Sequence, residues 1–172
     1  MPTPAYLTIK GVKQGIISAG ALSEASVGML AQEAHADEIL VQAFSHQIIV
    51  PRDPQSGNPT GMRIHKPLKI TKRFDKSSPL IFQALTRGEE LEFCRLVFYR
   101  TSKEGQQEAF FNIKLTEARI VDVQSKMPDC LDADMSHFTT LEDVYFIYKH
   151  ISWSHIDGAT SSSDSWDATD DK

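Results

Sequence analysis

Apolar and polar residues alternate along most of this chain with a period of two, the pattern of strands that bury one face. Residues 6–12 (Tyr6, Leu7, Thr8, Ile9, Lys10, Gly11, Val12) alternate and stop at a glycine, which predicts a short strand. Residues 14–30 are rich in Gly, Ala and Ser, have no period and read as mostly loop. They leave room for a short helix over 22–30, which Gly28 weakens. A second strand is predicted over 39–50. Its apolar residues fall on both sides of the pleat, so part of it should be covered on both faces, and it ends at Pro51. Residues 51–61 are turn chemistry throughout, with Pro51, Pro54, Gly57, Asn58, Pro59 and Gly61, and predict a protruding loop. Over 62–74, Ile64, Leu68 and Ile70 share one parity, and Arg63, His65, Lys69 and Arg73 share the other. This predicts a core face and a polar, basic face, with Pro67 marking an edge strand or a bulge.

One helix is marked at both ends. Ser78 suits the N-cap and Pro79 the first helical position; Leu80, Ile81, Ala84 and Leu85 form an apolar stripe; Gly88 can close the C-terminus. Residues 91–100 and 108–123 then read as a hairpin, with Phe111, Ile113 and Leu115 on one face of the returning strand. Residues 125–136 read as a polar loop. The last strand is predicted over 141–153, with aromatics on both faces. The resulting fold class is mainly β: a small antiparallel β-barrel or two-sheet sandwich with one short flanking α-helix. Residues 1–156 are expected to form that single domain, and 157–172 an acidic, Ser-rich mobile tail in which Trp166 is the one residue suited to dock on a surface.

Composition narrows the function. The 172 residues suffice for one domain with a proper core, and 41% apolar and 24% charged residues are ordinary for a soluble protein. A formal net charge of −5 argues against a general nucleic-acid binder. Cys94 and Cys130 are too few for a disulfide framework and read as reduced thiols, Cys94 as core. The first residues lack the basic and apolar regions of a secretory signal, and no apolar run nears the roughly 20 residues of a membrane span, so membrane insertion is not expected.

Candidate chemistry is thin. The six histidines show no zinc-motif spacing, and His150 and His155 should face apart on an extended strand. Ser45 and His46 are adjacent, so on a strand they point to opposite faces and make no nucleophile–base pair. Asp129, Asp132 and Asp134 lack the glycine and distal glutamate of a calcium loop. The basic stretch Lys66, Lys69, Lys72, Arg73 and Lys76 is either a solvated strand face or a polar assembly or lumen surface. No catalytic residue, metal or cofactor is therefore predicted, and the chain is expected not to be an enzyme.

The ordered segments resemble a known family. His65-Lys66-Pro67-Leu68-Lys69-Ile70-Thr71-Lys72, followed by Phe74-Asp75-Lys76-Ser77-Ser78-Pro79, a short helix and Gly88, resembles the central signature of haemolysin-coregulated proteins (Hcp), the tube proteins of type VI secretion systems. Ala5 to Lys13, His35-Ala36-Asp37-Glu38-Ile39, Glu142 to Tyr148 and Ile151-Ser152-Trp153 complete the set, which runs from about Pro4 to Trp166. The 51–61 insertion and the 158–166 tail look like an enterobacterial, extended-loop branch. The resemblance implies a β-barrel protomer that forms homohexameric rings stacked into a tube, propelled by a contractile sheath and tipped by a trimeric spike. It also implies a lumen that carries and protects effector proteins. The protein would be cytoplasmic during assembly and then secreted. In the family the second strand helps to line the lumen; the position matching its inner-wall serine is Ser45, and the usual aromatic after it is His46 here. With about 20 residues beyond Trp153, no appended toxin domain is expected. The alternatives from other classes are a monomeric β-barrel that binds a small ligand and a hydrolase.

Overall fold

Odd-numbered residues of β1 (Ala5–Gly11) point inward, and rows of side chains continue from them across neighbouring strands. Leu7 lies between Ile39 of β3 (Ile39–Ser45) and Leu96 of β7 (Leu91–Thr101). Ile9 sits beside Cys94, which faces Leu115 of β8 (Gln107–Lys126) and, beyond it, Ile151 of β10 (His150–His155). On the far side Leu68 of β6 (Leu68–Arg73), Phe146 of β9 (Leu141–Ile147) and Ile120 of β8 form another row. A computed structural model, describing residues 3–167, joins these rows into one antiparallel barrel in the order β7-β1-β3-β6-β9-β8. The ring closes because β8 changes partners along its length: residues up to Ala118 pair with β7, and Arg119 onward pairs with β9. Glu117, at the switch, has a positive φ of 49°. Closure leaves the six barrel strands without a free edge over their paired lengths.

The remaining elements decorate this barrel. β2 (Gly15–Ile16) folds back on β1, and α1 (Glu24–Val27) is a single turn ended by Gly28 at φ 59°. α2 (Ser78–Arg87) lays Ile81 and Ala84 against β8 and ends at Gly88 in the left-handed conformation. Glu89, just after it, accepts hydrogen bonds from the backbone N–H groups of Lys13 and Gln14 at 2.7 Å each. This carboxylate fastens the turn after β1 to the end of the helix. A Cβ at Gly11 would lie 2.7 Å from Glu89 Oε1, so any side chain there would push the carboxylate away from these donors.

Several expectations are modified. The segment 39–50 breaks after Ser45, because β3 stays with the barrel while β4 (Ile48–Ile49) leaves it to pair with β5 (Ile64–His65) as a separate hairpin. Pro67 divides 62–74 rather than marking an edge: β6 is paired on both sides, by β3 and β9. Parity inverts across this break, so that Ile64 is exposed and His65 buried. The strand read over 141–153 divides at 148–149, following the bend of β8, and its inward parity changes from Val144, Phe146 and Tyr148 to Ile151. Ser77, not Ser78, is the N-cap residue of α2, and Ser78 Oγ is used elsewhere.

The stretch expected to be a mobile tail contributes β11 (Thr160–Ser165), paired along its whole length with β10. Its ladder extends to Trp166, whose N–H donates to Lys149 O at 2.8 Å. Residues 168–172 lie outside the described residues.

Candidate functional site: the polar wall around Ser45

Beyond Val41, β3 runs past the start of β1, and a register shift between Val41 and Ala43 turns Ala43 and Ser45 outward and sets Phe44 beside inward-facing Ile70. The outward residues continue in register. Ser45 lies opposite Lys69, Lys69 opposite Tyr145, and Tyr145 opposite Asp122. One row away stand Ala43, Thr71, Asp143 and Gln124. Strand geometry alone thus assembles a polar wall on the outside of the barrel from four strands.

Asp143 organises the wall. It accepts from Thr71 Oγ1 at 2.6 Å, Lys126 Nζ at 3.0 Å and Lys69 Nζ at 3.2 Å. Burial alone would raise its pKa, but these donors outweigh burial and hold it below the ordinary carboxylate value. Lys69 is shifted upward, first by its hydrogen bond to Asp143, and its ammonium lies 5.7 Å from the centre of the Tyr145 ring. Beside these groups Ala43, Phe44, Ser45, Lys69 and Thr71 line a shallow recess of about 80 Å³. The Phe44 ring and small side chains line it together with one ammonium.

The other residues singled out from the sequence disperse. His46 turns away from Ser45 and bonds through Nε2 to Tyr148 Oη at 2.8 Å. His35 stacks on Tyr6 at 3.7 Å, His150 bonds Ser165 and His155 accepts the Gly158 N–H. Among the described residues no three His, Cys, Asp or Glu side chains gather as a metal site. Asp129 and Asp132 accept from Leu131 N and Asp134 N, which makes them turn residues. Cys94 is buried, and burial pushes its thiol pKa up. Cys130 is exposed, and both cysteines are free.

The basic stretch belongs to no single surface. Lys66 and Lys76 are exposed and Lys69 is on the wall, but Lys72 is fully buried. Its ammonium contacts Glu142 Oε1 at 2.5 Å, Ser78 Oγ at 3.0 Å and Asp75 Oδ1 at 3.1 Å. Sequence reasoning missed this cluster, although Lys72 shares parity with Leu68 and Ile70. It also missed the group formed by His46, Arg63, His65, Tyr148 and Asp164, whose members come from four separate segments.

A closed antiparallel barrel, filled by side chains and polar along one outer wall, defines a small β-barrel protein that presents surface chemistry. Residues 6–155 match the family described as "Type VI secretion system effector, Hcp". The chain is 53% identical over 166 residues to the major exported protein of Pseudomonas aeruginosa, covering 96% of each. Among solved structures it is similar to the secreted protein Hcp3 from Pseudomonas aeruginosa, at 46% identity and a TM-score of 0.82, covering 96% of this chain and 99% of that one. It is also similar to a crystal structure of an Hcp protein, at 41% identity and a TM-score of 0.90, covering 95% and 99%. The chain belongs to the Hcp family of type VI secretion system proteins. No helix among the described residues is long and apolar enough to cross a membrane.

Proposed function

We propose that this protein is the non-enzymatic building block of a secreted type VI tube: it closes into homohexameric rings, the rings stack, and effector proteins travel in the lumen. A contractile sheath around the tube and a trimeric spike at its tip complete the assembly. The protein is cytoplasmic until it is fired out of the cell. The observation that carries the reading is the register-aligned outer wall of Ser45, Lys69, Tyr145, Thr71 and Asp143, on a chain of the Hcp family. A water-filled channel needs a wall that stays hydrated, and small or paired polar groups supply one without a desolvation cost. A head-to-tail ring needs two complementary patches per copy, which a rigid barrel can hold at a constant angle.

Native mass spectrometry tests the ring. A closed hexamer of about 116 kDa is expected from the 19.3 kDa chain. A stable monomer at working concentration would instead favour a barrel that binds a small ligand. Ser45→Trp tests the wall: hexamers should persist while effector co-purification falls about tenfold or more, since an indole fills the recess. Loss of the hexamer in that variant would place Ser45 between protomers.

A further inference from the structure

Where the β4–β5 hairpin leaves the barrel, four segments meet in a continuous hydrogen-bonded chain. His46, in the link after β3, bonds through Nε2 to Tyr148 Oη at 2.8 Å. The same oxygen lies 2.7 Å from His65 Nδ1, and His65 Nε2 lies 2.8 Å from Asp164 Oδ2 in β11. Arg63 grips Asp164 through Nε at 2.5 Å and Nη2 at 2.7 Å. The His65 side chain is fully buried, with Trp166 stacked on it at 5.6 Å.

The donors and acceptors can be assigned. Asp164 is held at about 2, first by the Arg63 hydrogen bonds, with burial opposing and His65 assisting. It is therefore an anion and only accepts, so His65 Nε2 carries hydrogen. Burial, and then Asp164, push the Tyr148 phenol upward, so its hydroxyl keeps one proton. With both imidazoles neutral, His46 Nε2–H donates to Tyr148 and Tyr148 O–H donates to His65 Nδ1, so both contacts of Tyr148 are satisfied. One added proton is absorbed by reversal: it enters at His46 Nδ1, the His46 Nε2 proton passes to Tyr148, and the Tyr148 proton passes to His65 Nδ1. Both contacts of Tyr148 survive with opposite polarity, and the donors to Asp164 are unchanged. A second proton has no such place. Both rings would then aim N–H at one phenol oxygen, the phenol proton would have no acceptor, and two cations would flank it.

We infer that this chain is a proton-operated latch on the base of the 46–66 hairpin: it takes up one proton in place and releases His46 from Tyr148 on the second. Burial first, and then the neighbouring His65, lower the His46 pKa, so the fold favours the neutral ring. The hold is therefore complete above about pH 6.5 and is lost as pH falls below that value. The charged groups around the latch are Arg63 and Asp164 within it, and Glu117, Arg119, Lys149 and Asp167 around Trp166; a hydrogen bond between His46 and the Lys66 backbone opposes the lowering of the His46 pKa. The Lys66 N–H closes the hairpin base on Gln47 O at 3.0 Å and reports its opening. The device is a property of the single chain and stands whether or not rings form.

Hydrogen exchange of the whole protein, corrected for the intrinsic pH dependence of exchange, tests the latch between pH 7.5 and 4.5. Amides of 46–49 and 64–66 should lose about tenfold in protection on the acid side, while β1 and β7 stay protected. His46→Gln retains a side chain able to bond Tyr148 but cannot charge, and should keep the hairpin protected throughout. Flat protection in the wild-type protein, or an acid response retained in His46→Gln, would each overturn the inference.

Discussion

Lys72→Met is expected to lower the unfolding free energy by about 3–5 kcal/mol, because it strands a carboxylate in the barrel. Lys72 and Glu142 have no exposed side-chain surface, and the ammonium is shared among Glu142, Asp75, Ser78 and the carbonyl of Arg73. Glu142 Oε2 already makes no hydrogen bond among the described residues, so Oε1 and its contacts to Lys72 and Ser78 support the whole charge. Without the ammonium, Asp75 and Glu142 face each other across Ser78 with no cation between them. A drop in melting temperature of roughly 10 °C follows for a chain of this size. Urea unfolding of Lys72→Met, Glu142→Gln and the double variant should show a coupling of about 2 kcal/mol, because neutralising both partners removes the stranded charge. A loss below about 1 kcal/mol for Lys72→Met would mean that the cluster is hydrated and that Lys72 is not a core residue.

Phe146→Ala should cost a similar amount, about 3–5 kcal/mol, for a different reason. Phe146 is almost wholly buried in the row Leu68–Phe146–Ile120, where β6, β9 and the far half of β8 meet to close the barrel. Truncation removes apolar contact from the seam and leaves a void that paired strands on both sides cannot collapse to fill. Phe146→Leu, which keeps most of the volume, should recover more than half of the loss. The comparison of the two in denaturant unfolding separates cavity formation from a special need for the aromatic ring. Equal losses would point to the ring, and a negligible loss in Phe146→Ala would show that closure does not depend on this seam.

Both sites illustrate how far local pattern reaches. Alternation and apolar runs located the six barrel strands, and a serine–proline start with a glycine stop located α2, because period and end chemistry are properties of neighbouring residues. The same alternation placed Lys72 with Leu68 and Ile70. What made its burial possible is Glu142, 70 residues later and directly opposite in register, and no local pattern announces that pairing. Ser45 shares the parity of buried Ile39 and Val41, and only the register shift after Val41 turns it outward, where its companions on the wall come from β6, β9 and β8.

Other features were decided only by how strands pair. Pro67 predicted an edge strand or a bulge, and only the flanking of β6 by β3 and β9 shows that it divides the segment instead. The bend of β8 at Glu117 divides the later strand at 148–149 and inverts its buried parity; a change of pairing partners is invisible along one strand. The serine-rich segment after Gly158 carries too little apolar surface to predict order. β10 offers it an open edge, and Arg63 and His65 offer partners to Asp164, so it becomes β11.

The sequence by itself determined the strand-rich class, the single marked helix and, through its ordered segments, the family. The tertiary structure alone decided barrel closure, the burial of Lys72 with Glu142, and the joining of His46, His65, Tyr148 and Asp164. The first group rests on periodicity and end chemistry, which act over a few residues. The second rests on pairing between segments tens of residues apart, where register and burial choose which polar groups meet and low dielectric makes each meeting energetically decisive.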